Sequence, residues 1–164
     1  MRERSQVDTL MPARPVDAVP IALMSRRLVE SGLPSWSWTA RRVARHIHDA
    51  ESIVLIARRA DEITGFAIMG FGEEAAHLNL LAVEPRFRRN GLGRRMVRWL
   101  EDSAFVAGTF EVSLEVRARN TAARQFYRAL GYCEADLLPG YYERIEDAIR
   151  MTRDLRVVRV DQPG

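Results

Sequence analysis

The chain has 164 residues, 47% of them hydrophobic and 29% charged, with a formal net charge of +3. That is enough for one domain whose core needs no disulfide or metal, and it is neither the composition of a disordered chain nor the concentrated basic block of a nucleic-acid binder. Cys133 is the only cysteine, which excludes an intramolecular disulfide and a cysteine-rich zinc site; all 25 basic residues are arginine, which excludes a Walker A loop, the strand lysine of protein kinases and Schiff-base chemistry.

No apolar run reaches the length of a membrane span, and Met1 to Gln6 lead into no signal-peptide core, so the expectation is a cytoplasmic protein without a membrane or nucleic-acid partner. In chain order, residues 1–6 read as a loose end and Val7 to Met11 as a short edge strand. Pro15 to Ser31 carries helical spacing through Val19, Leu23 and Leu28 to a stop at Gly32, and Trp36 to Asp49 reads as a second helix. Ser52 to Arg58 and Ile63 to Phe71 form a hairpin across Ala60-Asp61-Glu62, and His77 to Val83 adds a central strand. The next helix starts near Gly91 and ends at Gly108, with Leu92, Met96, Trp99, Leu100 and Ala104 on its apolar face and Arg94, Arg95, Arg98, Glu101 and Asp102 on its polar face.

Phe110 to Arg117 alternates apolar and polar residues as a two-faced strand does. Asn120 is an N-cap for a helix over Thr121 to Leu130, whose core face is Ala122, Ala123, Phe126 and Leu130, and Gly131 follows at C′. Strands around Tyr132 to Asp136 and Ile145 to Leu155 complete the pattern, and residues 157–164 read as a second loose end. The whole, 1–164, reads as a single domain with its core over about 7–155.

Arg88-Arg89-Asn90-Gly91-Leu92-Gly93-Arg94 joins a strand to a helix. Glycines there keep side chains off the backbone, and the first helical amides lack an intrahelical acceptor, so the loop reads as a pyrophosphate site. With its spacing Arg-x-x-Gly-x-Gly, this stretch resembles the acetyl-CoA signature of the GCN5-related N-acetyltransferase (GNAT) superfamily. Leu114-Glu115-Val116-Arg117-Ala118-Arg119-Asn120, followed by Ala123, Phe126-Tyr127 and Leu130-Gly131-Tyr132, is similar to the second cofactor motif of that superfamily, most closely in its ribosomal-protein alanine N-acetyltransferase branch.

The resemblance implies an α/β fold with a mixed central sheet of about six or seven strands, about four helices, and the glycine loop between the fourth strand and third helix. It further implies acetyl-CoA as co-substrate and no metal. The backbone of Leu81, Ala82 and Val83 would hold the pantetheine arm, Arg88 would fill the position where the family accepts glutamine or arginine, and Arg89, Asn90, Gly91, Leu92, Gly93 and Arg94 would hold the pyrophosphate. Asn120 would bond the cofactor arm, and Tyr127 would sit beside the thioester sulfur.

An α-amine of pKa near 8 attacks only as the free base, so a group must take its proton. Glu115 matches the glutamate given that role in the alanine-specific branch; the other reading is a solvated strand glutamate like Glu111. Tyr127, a phenol of pKa about 10 that stays protonated at pH 7, would be the acid for the departing thiolate; the other reading is half-buried helix packing, against which Phe126 and Leu130 already supply the core face. Gly140-Tyr141-Tyr142 and Glu146-Asp147-Ala148 match the tyrosines and following motif of N-terminal acetyltransferases, with Glu143-Arg144-Ile145 where an Asp-Gly pair is common. Tyr141 and Tyr142 would then line a peptide cleft.

Trp36, in the loop between the first two helices, is either a substrate wall or part of a lid packed on the core. His46, His48 and His77 read as ordinary polar or core residues and Cys133 as a buried strand thiol. The expected activity is direct transfer of an acetyl group to the α-amine of a protein N-terminus by a monomer or homodimer. The alternatives are a small-molecule amine acceptor and a non-catalytic acyl-CoA-binding module.

Overall fold

The computed structural model describes residues 7–157, so the expected loose ends at 1–6 and beyond 157 lie outside the described residues, apart from Val157 itself. The elements are β1 (Thr9–Pro12), α1 (Ala18–Leu28), α2 (Ala40–His48), β2 (Ser52–Arg59), β3 (Glu62–Phe71), β4 (Ala75–Val83), α3 (Leu92–Val106), β5 (Glu111–Arg117), α4 (Thr121–Ala129), β6 (Cys133–Tyr142) and β7 (Glu146–Asp154), with short 3-10 turns at Pro15–Asp17 and Pro85–Phe87. The strand order is β1-β2-β3-β4-β5-β7-β6, with β1–β2, β2–β3, β5–β7 and β7–β6 antiparallel and β4–β5 parallel, so the expected mixed α/β sheet forms. The chain groups into two compact units, Met1–Gly70 with Asn79–Leu100, and Phe71–Leu78 with Glu101–Gly164.

In the first unit, β1 pairs with β2 through Met11 opposite Ile56, and β2 with β3 through Ile56 opposite Phe66. Residues 64–69 of β3 are buried without a break, as befits a strand covered on both faces. Ile21, Ala22, Met24, Val43, Ile56, Phe66, Ile68 and Leu80 form the core.

The buried face of α1 differs from the expected one. Val19 and Leu23 are 57% and 54% exposed, whereas Ala18, Ile21, Ala22 and Ser25 face inward with Met24. The segment is apolar on almost every side, so its spacing fits more than one phase. The second helix also begins later than Trp36. Buried Glu30 accepts the Ser37 backbone N–H at 2.7 Å, the Ser37 hydroxyl at 2.7 Å and the Trp38 N–H at 3.2 Å, holding that stretch out of helical conformation. Thr39 then caps α2 by accepting the Arg42 N–H at 3.3 Å, a contact worth about 1 kcal/mol.

In the second unit, Ala75 to His77 of β4 run parallel to Glu111 to Ser113 of β5. Val112, Leu114 and Val116 point inward from β5, and β7 pairs antiparallel with both β5 and β6. β6 extends six residues beyond the expected end at Asp136. Pro139-Gly140 reads as a stop, but an edge strand tolerates proline and two register irregularities carry the pairing through to Tyr142. Cys133, expected to be buried, is exposed at the start of this edge strand.

Helices α3 and α4 also turn differently from their expected phase. On α4 the inward residues are Tyr127 and Leu130, while Phe126 is half-buried and Ala122 exposed. On α3, Glu101 is not on a solvent face: it is 1% exposed, 2.5 Å from Arg153 Nη1, and accepts the Tyr132 hydroxyl at 3.2 Å. Val97 is buried where Trp99 was expected, and Trp99 is half-buried.

Candidate functional site

In the first unit the end of β4 is braced from several directions. The Glu84 N–H donates to the Thr64 carbonyl at 2.9 Å, and the Glu84 carboxylate is gripped by both terminal nitrogens of Arg27, one of them at 3.1 Å. That hydrogen bond holds the Glu84 carboxyl below its ordinary range. Behind the strand, a Cβ on Gly65 would lie 3.0 Å from the Ala82 carbonyl oxygen and 3.2 Å from Met96 Sδ, so glycine is what lets β3 approach this closely. Gly65→Ala is expected to cost about 1–3 kcal/mol through overpacking, read as a lower midpoint in urea unfolding with an unchanged m value.

The loop follows a 3-10 turn whose Phe87 ring packs against the guanidiniums of Arg59, 4.7 Å away, and Arg86, 4.9 Å away. Arg88 turns back, its Nε donating to the Val83 carbonyl at 2.9 Å, so this side chain fastens strand end to loop. Arg89 and Gly91 both have left-handed φ, 66° and 75°. Alternation of such residues turns backbone amides to one side. Nothing lies within 4 Å of a Cβ built on Gly91, so the backbone there faces open space and the glycine is needed for its φ.

The Arg95 N–H, bonded to the Gly91 carbonyl at 3.0 Å, closes the first turn of α3, which leaves the amides of Leu92, Gly93 and Arg94 without helical acceptors. Leu92 is buried and anchors the helix start, while Arg89, Asn90 and Arg94 are exposed. Left-handed backbone, open space and unpartnered helical amides suit a pyrophosphate group. Leu81 and Val83 are half-buried on the face of β4 opposite buried Leu80 and Ala82.

Trp36 packs against the core of the same unit, beneath the Arg26 guanidinium at 5.2 Å, with its Nε1 buried and unpaired. The neighbouring Trp38 is buried under Arg42, which lies 3.8 Å from its ring centroid. The tryptophan loop is thus packed on the core. His46 behaves as expected for an ordinary residue, with Nδ1 2.9 Å from the Ser52 hydroxyl; burial, followed by the charge of Arg42, holds its pKa down.

The second unit gathers Glu115, Asn120, Tyr127, Tyr141 and Tyr142. Glu115 is no solvated strand glutamate: its side chain is only 8% exposed, Oε2 lies 2.5 Å from His77 Nε2, and Oε1 accepts Arg150 Nε at 3.3 Å. Burial alone pushes such a carboxyl up, yet hydrogen bonds and charge from His77 and Arg150 outweigh it and leave Glu115 below its ordinary value. His77, read from sequence as ordinary, is therefore a partner of the candidate base. The signal for it was present: His77 and Glu115 occupy polar positions of strands on either side of one crossover helix, which the topology makes neighbours.

Asn120 caps α4, its Oδ1 accepting the Ala123 N–H at 3.1 Å, and the residue is exposed. Tyr127 is 7% exposed, edge-on to Phe126 at 5.0 Å and to Tyr132 at 5.6 Å. Burial, reinforced by Tyr142, pushes its hydroxyl pKa far above the ordinary phenol value, so it is protonated at any physiological pH.

Tyr141 and Tyr142 stand edge to face at 5.0 Å, the first half exposed and the second half-buried. The turn after them keeps its shape without Asp-Gly: Glu143 and Arg144 take left-handed φ of 52° and 62°, and the Ile145 N–H bonds the Tyr142 carbonyl at 2.9 Å. Those are the conformations that Asn-Gly or Asp-Gly usually fill in a two-residue hairpin. Among the described residues no group of three or more His, Cys, Asp or Glu side chains is placed to hold a metal ion, and no helix is long and apolar enough to cross a membrane.

The seven-stranded mixed sheet, with a loop and helix after its fourth strand, places the chain among the α/β proteins. Residues 22–132 match the acetyltransferase (GNAT) family, and the chain belongs to that family. It is 40% identical over 94 residues to the [ribosomal protein bS18]-alanine N-acetyltransferase of Salmonella typhimurium, a match that spans 56% of this chain and 64% of that protein.

The crystal structure of the Escherichia coli ribosomal-protein-S18-alanine N-acetyltransferase superposes with a TM-score of 0.79 at 26% identity, covering 96% of this chain and all of that one. The PaiA N-acetyltransferase of Thermoplasma acidophilum, solved with coenzyme A, shares the fold at a TM-score of 0.78 and 16% identity, over 90% of this chain and 99% of that one.

Proposed function

We propose that the chain is a single acetyltransferase domain that moves the acetyl group of acetyl-CoA directly to the α-amine of a protein N-terminus. The observation that carries this reading is the buried Glu115 carboxylate held by His77. Similarity to the bS18-alanine enzyme of Salmonella typhimurium and the Tyr141-Tyr142 pair beside Glu115's strand system support a peptide end as acceptor.

The chemistry follows from the residues. Acetyl-CoA supplies a thioester carbonyl, and the glycine loop of the first unit offers its amides to the pyrophosphate. In the second unit, the charged carboxylate of Glu115 attracts the acceptor ammonium. A carboxylate below its ordinary pKa is too weak a base to strip an amine of pKa near 8 alone, so Glu115 and His77 take the proton as a hydrogen-bonded pair. The freed nitrogen lone pair bonds the thioester carbon, and the C–S bond breaks with its electrons on sulfur. The donor assigned to that sulfur is Tyr127, whose hydroxyl burial keeps protonated. No acyl-enzyme is needed, and Cys133, exposed on the edge strand, takes no part.

The test is CoA release from acetyl-CoA with peptides that begin with Ala or Ser, set against small amines. Turnover of a peptide is the expected result, with Glu115→Gln lowering kcat/KM about tenfold, and more steeply at acidic pH where the amine is more fully protonated. No release with any peptide, alongside turnover of a small amine, overturns the peptide acceptor.

A further inference from the structure

Across the second unit a row of charged side chains crosses four strands. Glu115 on β5 stands directly opposite Arg150 on β7, and Arg150 stands opposite Asp136 on β6. His77 on β4 closes the row at the other end. The contacts are His77 Nε2 to Glu115 Oε2 at 2.5 Å, Arg150 Nε to Glu115 Oε1 at 3.3 Å, and Arg150 Nη1 to Asp136 Oδ2 at 3.8 Å.

Exposure along the row is uneven, and that decides what Arg150 does. Asp136 is 58% exposed and water can solvate it, whereas the Glu115 side chain is 8% exposed. A carboxylate so buried must find hydrogen-bond donors for both oxygens or give up its charge. His77 serves one oxygen. Arg150 is the donor for the other, and as a fixed cation it keeps the carboxylate charged whichever protonation state His77 adopts. An acid–base pair that exchanges a proton with an acceptor needs such a constant partner.

We propose that Arg150 is a positioning residue for the acetyl transfer inferred above, acting through Glu115: it holds Oε1 so that the carboxylate stays charged with Oε2 turned to His77. The inference rests on that reading of the reaction. The titratable groups that feel the Glu115 charge from β6 are Tyr141 and Tyr142, whose hydroxyl pKa values are raised first by burial and further by Glu115, while Asp136 stands 3.8 Å from Arg150.

The test titrates the Glu115 carboxyl by carbon-13 NMR of the full chain with labelled glutamate, its resonance assigned by loss in Glu115→Gln. Removing a cation that favours the charged form raises the midpoint, so Arg150→Met is expected to move it up by about one pH unit, and Arg150→Lys, which keeps the charge, by less. In the peptide assay the acidic limb of kcat/KM moves the same way in Arg150→Met, while the plateau at neutral pH falls no more than about threefold.

An unmoved Glu115 midpoint in folded Arg150→Met overturns the proposal, as does a loss of activity equal at every pH. Arg150→Lys serves as the folded comparison if the methionine variant melts early. If no acceptor turns over at all, the acetyltransferase reading fails, but the carboxyl titration still decides whether Arg150 holds Glu115.

Discussion

Tyr127→Phe is expected to lower kcat about 100-fold while leaving KM for acetyl-CoA and the melting temperature nearly unchanged. The substitution removes one oxygen and keeps the ring, so the edge-on contacts to Phe126 at 5.0 Å and Tyr132 at 5.6 Å survive. What is lost is a proton donor. Burial raises the Tyr127 pKa well beyond that of a thiol, ordinarily about 8.5, so complete transfer of the phenolic proton to a departing thiolate is uphill.

The hydroxyl therefore acts as a hydrogen-bond donor to sulfur as charge develops there, a contact strongest in the transition state, and solvent completes protonation of free CoA. That predicts a fall in kcat with little change in ground-state binding. Steady-state kinetics with a peptide acceptor measures both constants; an unchanged kcat in Tyr127→Phe removes the hydroxyl from the reaction.

How much of this was legible in the sequence depends on how far apart the interacting residues lie along the chain. The glycine loop and the Asn120 cap were readable because each is local: one turn of backbone settles whether Gly91 needs a left-handed φ and whether Asn120 reaches the Ala123 amide. Strand positions were readable from alternation, as in β5, where Val112, Leu114 and Val116 do face inward. Helix phase was not. In α1 and α4 several apolar stripes compete, and the packing partner, absent from local periodicity, selects Ile21 over Leu23 and Tyr127 over Ala122.

Pairs of charged residues were the least legible. Glu115 and His77 are 38 positions apart and meet only once the register of their strands is set. Periodicity says that both occupy polar positions; it does not say that these positions face one another. Glu30 is hidden for a related reason, since its four acceptor contacts join Ser25 of α1 to Ser37 and Trp38, whose spacing reads as helix but which lie in the loop before α2.

Arg153→Met is expected to destabilise the fold by about 3–5 kcal/mol, because it removes the counter-ion of the Glu101 carboxylate, a charge held in the core. Glu101 is 1% exposed and the Arg153 side chain 6%, so neither charge has water to fall back on. The cause is desolvation rather than loss of an attractive pair, and a second substitution separates the two. Glu101→Leu with Arg153→Met removes both charges and, by the same reasoning, returns most of the loss, since a buried ion pair contributes little net stability over a well-packed apolar one.

Return should be incomplete in that double variant. The Tyr132 hydroxyl, which donates to Glu101 at 3.2 Å, then lacks its acceptor, at a cost of about 1–3 kcal/mol. Adding Tyr132→Phe removes that orphan group and brings the triple variant close to the parent. Urea unfolding of the single, double and triple variants measures the series, and a double variant no more stable than Arg153→Met would mean that the attraction between the charges, and not the burial of a carboxylate without its counter-ion, holds this part of the second unit together.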